Sequence, residues 1–507
     1  MEKDKLFRLA QHVRYTTLQL SHNANESHTA GALSMADVIV TLYVNYLNNS
    51  PALQDTPERD RFILSKGHCC ASLYALLAEM GYFPMSELMA HFAGNGTHFF
   101  AHASHTLPGV ELSTGSLGHG LPVACGLALG SKRKGIKNAI YCLVGDGEMN
   151  EGSNWEAIMF AAHNSLDNLC LIIDKNKMQA LGDTKEVLCM DPLPEKLQSF
   201  QWNVIEIDGH DYNQIIAAFE NFKNCKSKPS VIVANTIKGK GVSFMEHNLR
   251  FHYSEQNMAG AAAGLAMSGY NVYFYSIGNF PTLRCLEQIR NDIAYHNANV
   301  KVVAVGAGYA YGSLGATHQA TEEIGCLRSL PNMVVATPGD PIETRAITKL
   351  SANYDGPMYI RLGKAGEKIV HKEETVKLEI GDICSIKIVK ENRKAVFACG
   401  NILDAAYHQI KNNHLPYNLF SVPFVKPMNI MQLKTIVENH QDGIITIEEH
   451  QKSCGMGSAL IEILNDLYAE GQIKHYPKVK RIAIPDEFAD IVGTQIYLRE
   501  HEGLKII

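Results

Sequence analysis

Asp146 stands between two glycines at the end of a β-branched, apolar run, Ile140 to Val144, and Asn176 closes a second run of the same kind. In open parallel sheets, ligands bind beyond the carboxyl ends of the strands. A carboxylate held there between Gly145 and Gly147 points a hard oxygen into that crevice, and glycine lets the backbone approach a ligand closely. Two adjacent strands ending in Asp146 and Asn176 would place two oxygen ligands on one cation. The Met178 carbonyl could add a third, and a diphosphate the rest of an octahedron; magnesium and calcium both suit such a set. Gly-Asp-Gly is equally ordinary turn chemistry, so the tripeptide alone leaves both readings open.

Other residues with metal-ligating chemistry are less persuasive. His98, His102 and His105 are spaced like ligands, but no cysteine or carboxylate partner accompanies them, so zinc is not expected there. The 12 cysteines are scattered, many of them inside apolar runs: Cys142, Cys170, Cys285 and Cys399. That is core usage in a reducing compartment rather than a disulfide framework.

The elements that must position these residues are short apolar runs alternating with amphipathic stretches. Strands are expected at 139–145, 168–174, 202–208, 230–236, 271–276, 300–306, 333–337, 395–399 and 443–447, with helical patterns such as 153–165 and 281–298 between them. This alternation argues for α/β with mainly parallel sheets. At 507 residues the chain should hold about three domains. Boundaries are expected near 247–254 and in the polar stretch 365–392. Composition is that of a globular protein, 46% hydrophobic and 19% charged, with a net charge of −6 and no basic tail. Nucleic-acid binding is therefore not suggested. No run of 18 or more apolar residues is present, so no membrane span is expected. The charged amphipathic start, MEKDKLFRLAQHVRYTT, lacks a signal peptide's apolar core, which points to the cytoplasm.

Gly-Asp-Gly followed by Asn176 at this distance is the pattern of thiamine-diphosphate (ThDP) enzymes, and it does not stand alone. The stretches ESHTAGALSMADVIVTLY, DRFILSKGHCCASLYALL, PGVELSTGSLGHGLPVACGLALG, IDKNKMQ, TIKGKGVSFME, EQNMAGAAAGLA, GATHQATEE and PMYIRLGK resemble the transketolase family along nearly the full chain. The match of VPFVKPMN and ITIEEHQKSCGMGSAL is looser. The resemblance implies two ThDP-binding-fold domains, 1–250 for the diphosphate and 251–370 for the pyrimidine, then a transketolase C-terminal-type domain, 371–507. It implies a homodimer with cofactor at the subunit interface, and a cytoplasmic transferase of two-carbon ketol units.

The resemblance also assigns residues. Glu255, in EQNM, would hydrogen-bond the cofactor's aminopyrimidine; its place beside the apolar run Met258 to Met267 fits a desolvated acid. Glu151 and Glu156 match carboxylates near it, whereas Glu148 reads as part of a solvated helical face. Gly115 would accept from the 4′-amine, Leu117 would pack beneath the bent ring, and Phe280 would stack on the pyrimidine. Gly145, Asp146, Gly147 and Asn176 would hold the diphosphate and its metal, Mg2+ or Ca2+. His28, His68, His102, His252 and His318 would bind substrate hydroxyls and move protons. Arg361, in YIRLGK, matches a phosphate-binding arginine.

The chain departs from the family at the substrate end. A longer segment normally separates the KGKG and EQNM stretches and includes a strand, an arginine and a serine; here His252-Tyr253-Ser254 runs straight into Glu255. Leu314 replaces an aspartate that reads a donor hydroxyl, Gly306 a channel histidine, and Ile277 an aromatic. Losing a polar partner relaxes or changes substrate choice. The expected reaction is ketol transfer from a ketose phosphate or 2-oxo acid to an aldehyde. A ThDP-dependent 2-oxo acid decarboxylating or deoxyxylulose-phosphate-synthase-type carboligase is the alternative, and a non-catalytic dimeric scaffold is the alternative of another class.

Overall fold

A computed structural model describes residues 2–24, 28–178, 183–242, 255–389 and 394–506. The chain divides into two compact units, Met1–Ser254 and Glu255–Ile507. His252 lies outside the described residues.

In the first unit, strands β1 (Arg61–Leu64), β2 (Ile140–Gly145), β3 (Leu169–Lys175), β4 (Asn203–Asp208) and β5 (Ser230–Asn235) form one sheet in the order β1-β2-β3-β5-β4. All four pairings are parallel. Ile140 to Val144 are all buried because helices cover both faces, which is why the run reads as continuously apolar. Its alternate residues feed two cores. Tyr141 and Leu143 join the helices Lys3–Ala24 and Cys70–Glu79, while Ile140, Cys142 and Val144 join Gly120–Arg133 and Gly152–His163.

One buried charge pins the helices to the carboxyl end of this sheet. Asp37, in the helix Ala36–Asn45, accepts from Arg14 Nη2 at 2.5 Å, Tyr212 Oη at 2.6 Å and His210 Nδ1 at 2.7 Å. His210 Nε2 in turn accepts from the Ile237 amide, which fixes Nδ1 as the donor. Burial alone would raise the Asp37 pKa, but these partners hold it at about 2, below the usual 3.8. A depressed carboxylate adds stability that is present above pH 4 and lost as pH falls towards 2. The shift corresponds to about 2 kcal/mol. Thermal unfolding of wild type and Asp37→Asn should therefore differ clearly at pH 7 and converge only as pH falls to about 2. A gap independent of pH would show that the charge of Asp37 plays no part.

The second unit holds two sheets. One comprises β6 (Val272–Ile277), β7 (Val300–Val305), β8 (Val334–Ala336) and β9 (Met358–Leu362); the other begins with β10 (Cys384–Lys387), β11 (Lys394–Cys399) and β12 (Asn418–Ser421). The chain then crosses back. Strand β13 (Phe424–Lys426) pairs antiparallel with β8, and only afterwards do β14 (Gly443–Gln451) and β15 (Val479–Ile484) complete the last sheet. The orders are β13-β8-β9-β7-β6 and β10-β12-β11-β14-β15, mainly parallel throughout. Strand β6 is a sheet edge carrying the exposed Tyr273 and Tyr275, and the helix Glu255–Met267 leads almost directly into it. No additional strand precedes it among the described residues of this unit, in keeping with the short junction before Glu255.

Candidate active site

The two strand ends meet as their sequences suggested. Asp146 is buried, its Oδ1 accepting from the Gly147 amide at 2.9 Å and its Oδ2 from the Lys177 amide at 2.6 Å. Its own amide donates to the Asp174 carbonyl. Asn176, also buried, accepts from the Met178 amide at 3.1 Å, which closes the turn after β3. Burial, and then the neighbouring Asp174 carboxylate, push the Asp146 pKa up to about 7. An acid in such surroundings is stabilised by a cation.

Charges absent from the sequence reading surround this pair. Lys66, at the end of β1, is ion-paired with Asp174 and also donates to the Gly31 carbonyl at 2.9 Å. Asp174 further accepts from the Ser34 and Thr236 hydroxyls. Lys238 belongs to the same electrostatic group as Asp146, Asp174 and Lys66. Glu148 corrects its expected place on a solvated face: it is 2% exposed and binds Ser65 Oγ and the Gly118 and Gly145 amides. It thereby ties β1, β2 and the 115–118 turn together. A short 3₁₀ turn after Asp146, rather than a helix, sends the side chain back towards the sheet.

The 115–118 turn carries Gly115, buried, and Leu117, half-buried. Gly118 has φ +83, and a Cβ there would stand 2.6 Å from that of Glu151. The close approach excludes any side chain and seats Glu151, which is buried at the start of the helix Gly152–His163. Glu156 is exposed one turn on, beside the exposed Met159 and Phe160.

Three of the histidines gather in the same unit. The ring centroids of His28 and His68 lie 5.4 Å apart, and those of His28 and His102 5.6 Å apart. His68 follows Lys66 in the turn after β1. His102 is held from behind by buried Tyr74, whose hydroxyl donates to the His102 carbonyl and accepts from the Ser104 amide.

The second unit assembles a separate group at the carboxyl end of β6. Glu255 is 2% exposed, with Oε1 accepting from Ser276 Oγ at 2.8 Å and Oε2 paired with Arg284 Nη1 at 2.6 Å. The expected acid in apolar surroundings is thus corrected to a buried, ion-paired one. The Arg284 guanidinium lies 5.0 Å from the Phe280 ring centroid, and that ring meets His318 edge-on at 5.0 Å. Gly306 explains one family departure. Its φ is +102, and a Cβ would lie 2.4 Å from the Tyr311 ring, so tyrosine fills the space beside it. Leu314 is buried.

Arg361 does not stand open as a phosphate ligand. It is 2% exposed, ion-paired with Glu323 at 2.5 Å, and donates to the Ala320 and Glu449 carbonyls. The exposed cation at the carboxyl end of β9 is Lys364, which with Arg345 lines a cleft of about 400 Å³.

The family model of the transketolase thiamine diphosphate binding domain matches residues 7–273. The chain belongs to the transketolase family. Models of the transketolase pyrimidine binding domain and C-terminal domain match the chain at 228–366 and 386–496. One of the subunits of an apulose-4-phosphate transketolase from Actinobacillus succinogenes is 43% identical over 251 residues, 49% of this chain and 91% of that protein. The 6-deoxy-6-sulfo-D-fructose transketolase subunit SqwG of a Clostridium species is 41% identical over 261 residues, 51% of this chain and 94% of its own length. Transketolase-like protein 2 of Mus musculus aligns over 597 positions at 24% identity, 96% of this chain and 94% of that one. That alignment is longer than the 507-residue chain, so the chain carries gaps relative to it. It is a ThDP enzyme of the ketol-transferring class with three transketolase-type domains. Among the described residues, no helix is long and apolar enough to cross a membrane.

Proposed function

We propose that the chain transfers a two-carbon ketol unit from a ketose with an anionic end, phosphate foremost, to an aldehyde acceptor. The observation that carries this reading is the meeting of buried Asp146 with the Asn176 turn, beside clustered His28, His68 and His102. The names of two relatives support the donor class, since apulose 4-phosphate and 6-deoxy-6-sulfofructose are both sugars with an anionic end.

The residues present fit ThDP and a hard dication. Asp146, Asn176 and the Met178 carbonyl would hold Mg2+ or Ca2+. Gly145 and Gly147, without side chains, would let a diphosphate approach the end of β2, and Lys238 would supply positive charge. Bound ThDP contributes the acidic thiazolium C–H that ketol transfer needs. Leu117 and Phe280 would hold its rings, Gly115 would accept from its amine, and Glu255 would manage the pyrimidine proton, with Glu151 and Glu156 in support. His28, His68, His102, His252 and His318 would bind donor hydroxyls and carry protons to and from oxygen. Lys364, rather than the enclosed Arg361, would meet the anionic end.

A homodimer is part of this reading. Val123 and Leu127 on one helix, Met159 and Phe160 on the next, and Leu265 and Met267 after Glu255 are exposed apolar side chains that association would bury. The free cysteines support a reducing, cytoplasmic location.

The purified protein with ThDP and magnesium should be offered xylulose 5-phosphate, hydroxypyruvate and pyruvate separately, each with an aldehyde. Ketol products from the ketose phosphate are expected, with Lys364→Ala raising KM for that donor and leaving hydroxypyruvate turnover unchanged. Carbon dioxide release from pyruvate, without ketol transfer, would replace this reading with a decarboxylating carboligase.

A further inference from the structure

Behind the Lys364 cleft, whose wall includes Asp340, the residues Glu343, His371 and Cys384 bring one ligand atom each to within 4.8 Å of the others. The outer atoms of the first two are held by hydrogen bonds, and the inner atoms have no hydrogen-bond partner and meet each other at ion-pair distance. Glu343 Oε2 accepts from the Gly339 amide at 2.7 Å and Ser421 Oγ at 3.0 Å, while its Oε1 is buried with no hydrogen-bond partner. His371 Nδ1 lies 3.0 Å from Asp340 Oδ2, while Nε2 is buried, without a hydrogen-bond partner, and 3.6 Å from Glu343 Oε1. Glu343 is 0% exposed and the His371 side chain 5%. Buried polar atoms left unsatisfied are costly and rare. Here two of them face each other beside a thiol.

We propose that Cys384, His371 and Glu343 form a binding site for a divalent cation of the zinc class. Thiolate and imidazole select zinc over magnesium or calcium, and three protein ligands leave a fourth position for water. A carboxylate behind the second nitrogen of a ligating histidine orients the ring and fixes its tautomer, and Asp340 occupies that place. Asp340 is itself fixed by the amides of Ile342, Glu343, Val370 and His371. One thiolate and one carboxylate also balance a dication, so the filled site carries no net charge. Glu343 starts the helix Pro341–Asn353, His371 lies in the connection after β9, and Cys384 opens β10. The cation would clip the pyrimidine sheet to the C-terminal sheet, and it differs in ligand chemistry from the all-oxygen set at Asp146.

The full-length protein, stripped by a chelator and then given excess magnesium, should be titrated with cobalt(II). One cobalt per chain is expected, with thiolate-to-metal charge-transfer absorption that zinc abolishes by displacement. Cys384→Ser should lose this absorption and His371→Gln should weaken binding, both keeping the ThDP-dependent thermal shift. Wild type without a thiolate band at saturating cobalt would overturn the site, leaving His371 as an imidazolium between two carboxylates. A band that survives in Cys384→Ser would also overturn it, by assigning the thiolate to an exposed cysteine such as Cys189 or Cys454. Should Cys384→Ser fail to fold, the wild-type spectrum and the His371→Gln titration decide.

Discussion

Glu255→Gln is expected to lower kcat by about 10²–10⁴-fold, the span typical of a lost acid–base group. Glutamine matches glutamate in size and still accepts from Ser276, so the fold around β6 should survive. It cannot carry the charge that pairs with Arg284, nor exchange a proton with the pyrimidine. The loss should therefore appear in kcat, with ThDP still bound and the ThDP-induced thermal shift largely kept. Arg284 sharpens the test. Its guanidinium holds one carboxylate oxygen and lies against Phe280, so Glu255 reaches the cofactor only by sharing or releasing that partner. If Glu255→Gln turned over at the wild-type rate, the role given to Glu255 would be wrong.

Asp146→Asn should reduce turnover to background and abolish stabilisation by the cofactor. At ligand concentrations about 100 times Kd, binding adds about 2.7 kcal/mol to stability, and this increment should vanish in the variant. The protein without ligands should behave differently. Burial and Asp174 make the Asp146 carboxylate uncomfortable until a cation arrives, so the variant should melt no lower than wild type in the absence of metal. Such a trade of stability for function is common at binding sites. Thermal shift with and without ThDP and magnesium separates the two states. An unchanged increment in Asp146→Asn would exclude Asp146 from the metal's ligands.

The sheets were legible because their strands are short apolar runs closed by glycine or a carboxylate. The run at 230–236 became Ser230–Asn235, and 139–145 became Ile140–Gly145. Legibility failed where polar residues sit inside. Strand β14 extends to Gln451 because Glu448 is satisfied by the Met456 and Gly457 amides and Glu449 by Arg499. A hydropathy pattern would end the strand earlier. The helical pattern at 281–298 resolved into a short helix, Leu286–Gln288, and a π-helical turn, Ile289–Ala294. At the site, Asp146 and Asn176 announce themselves through spacing. The pairs Lys66–Asp174, Glu255–Arg284 and Glu323–Arg361 do not, since partners drawn from separate elements leave no local periodicity. The same blindness hid Cys384, His371 and Glu343.

The return of the chain through β13 sets how this protein can be divided. After β9 the backbone leaves for the last sheet, builds three of its strands, and comes back to close the edge beside β8 before finishing it. A fragment ending near residue 370 would expose β8 as a raw edge, and a fragment beginning there would carry a strand with nothing to pair. The two sheets should therefore melt in one cooperative transition, and protease cleavage between them should release neither as a folded piece.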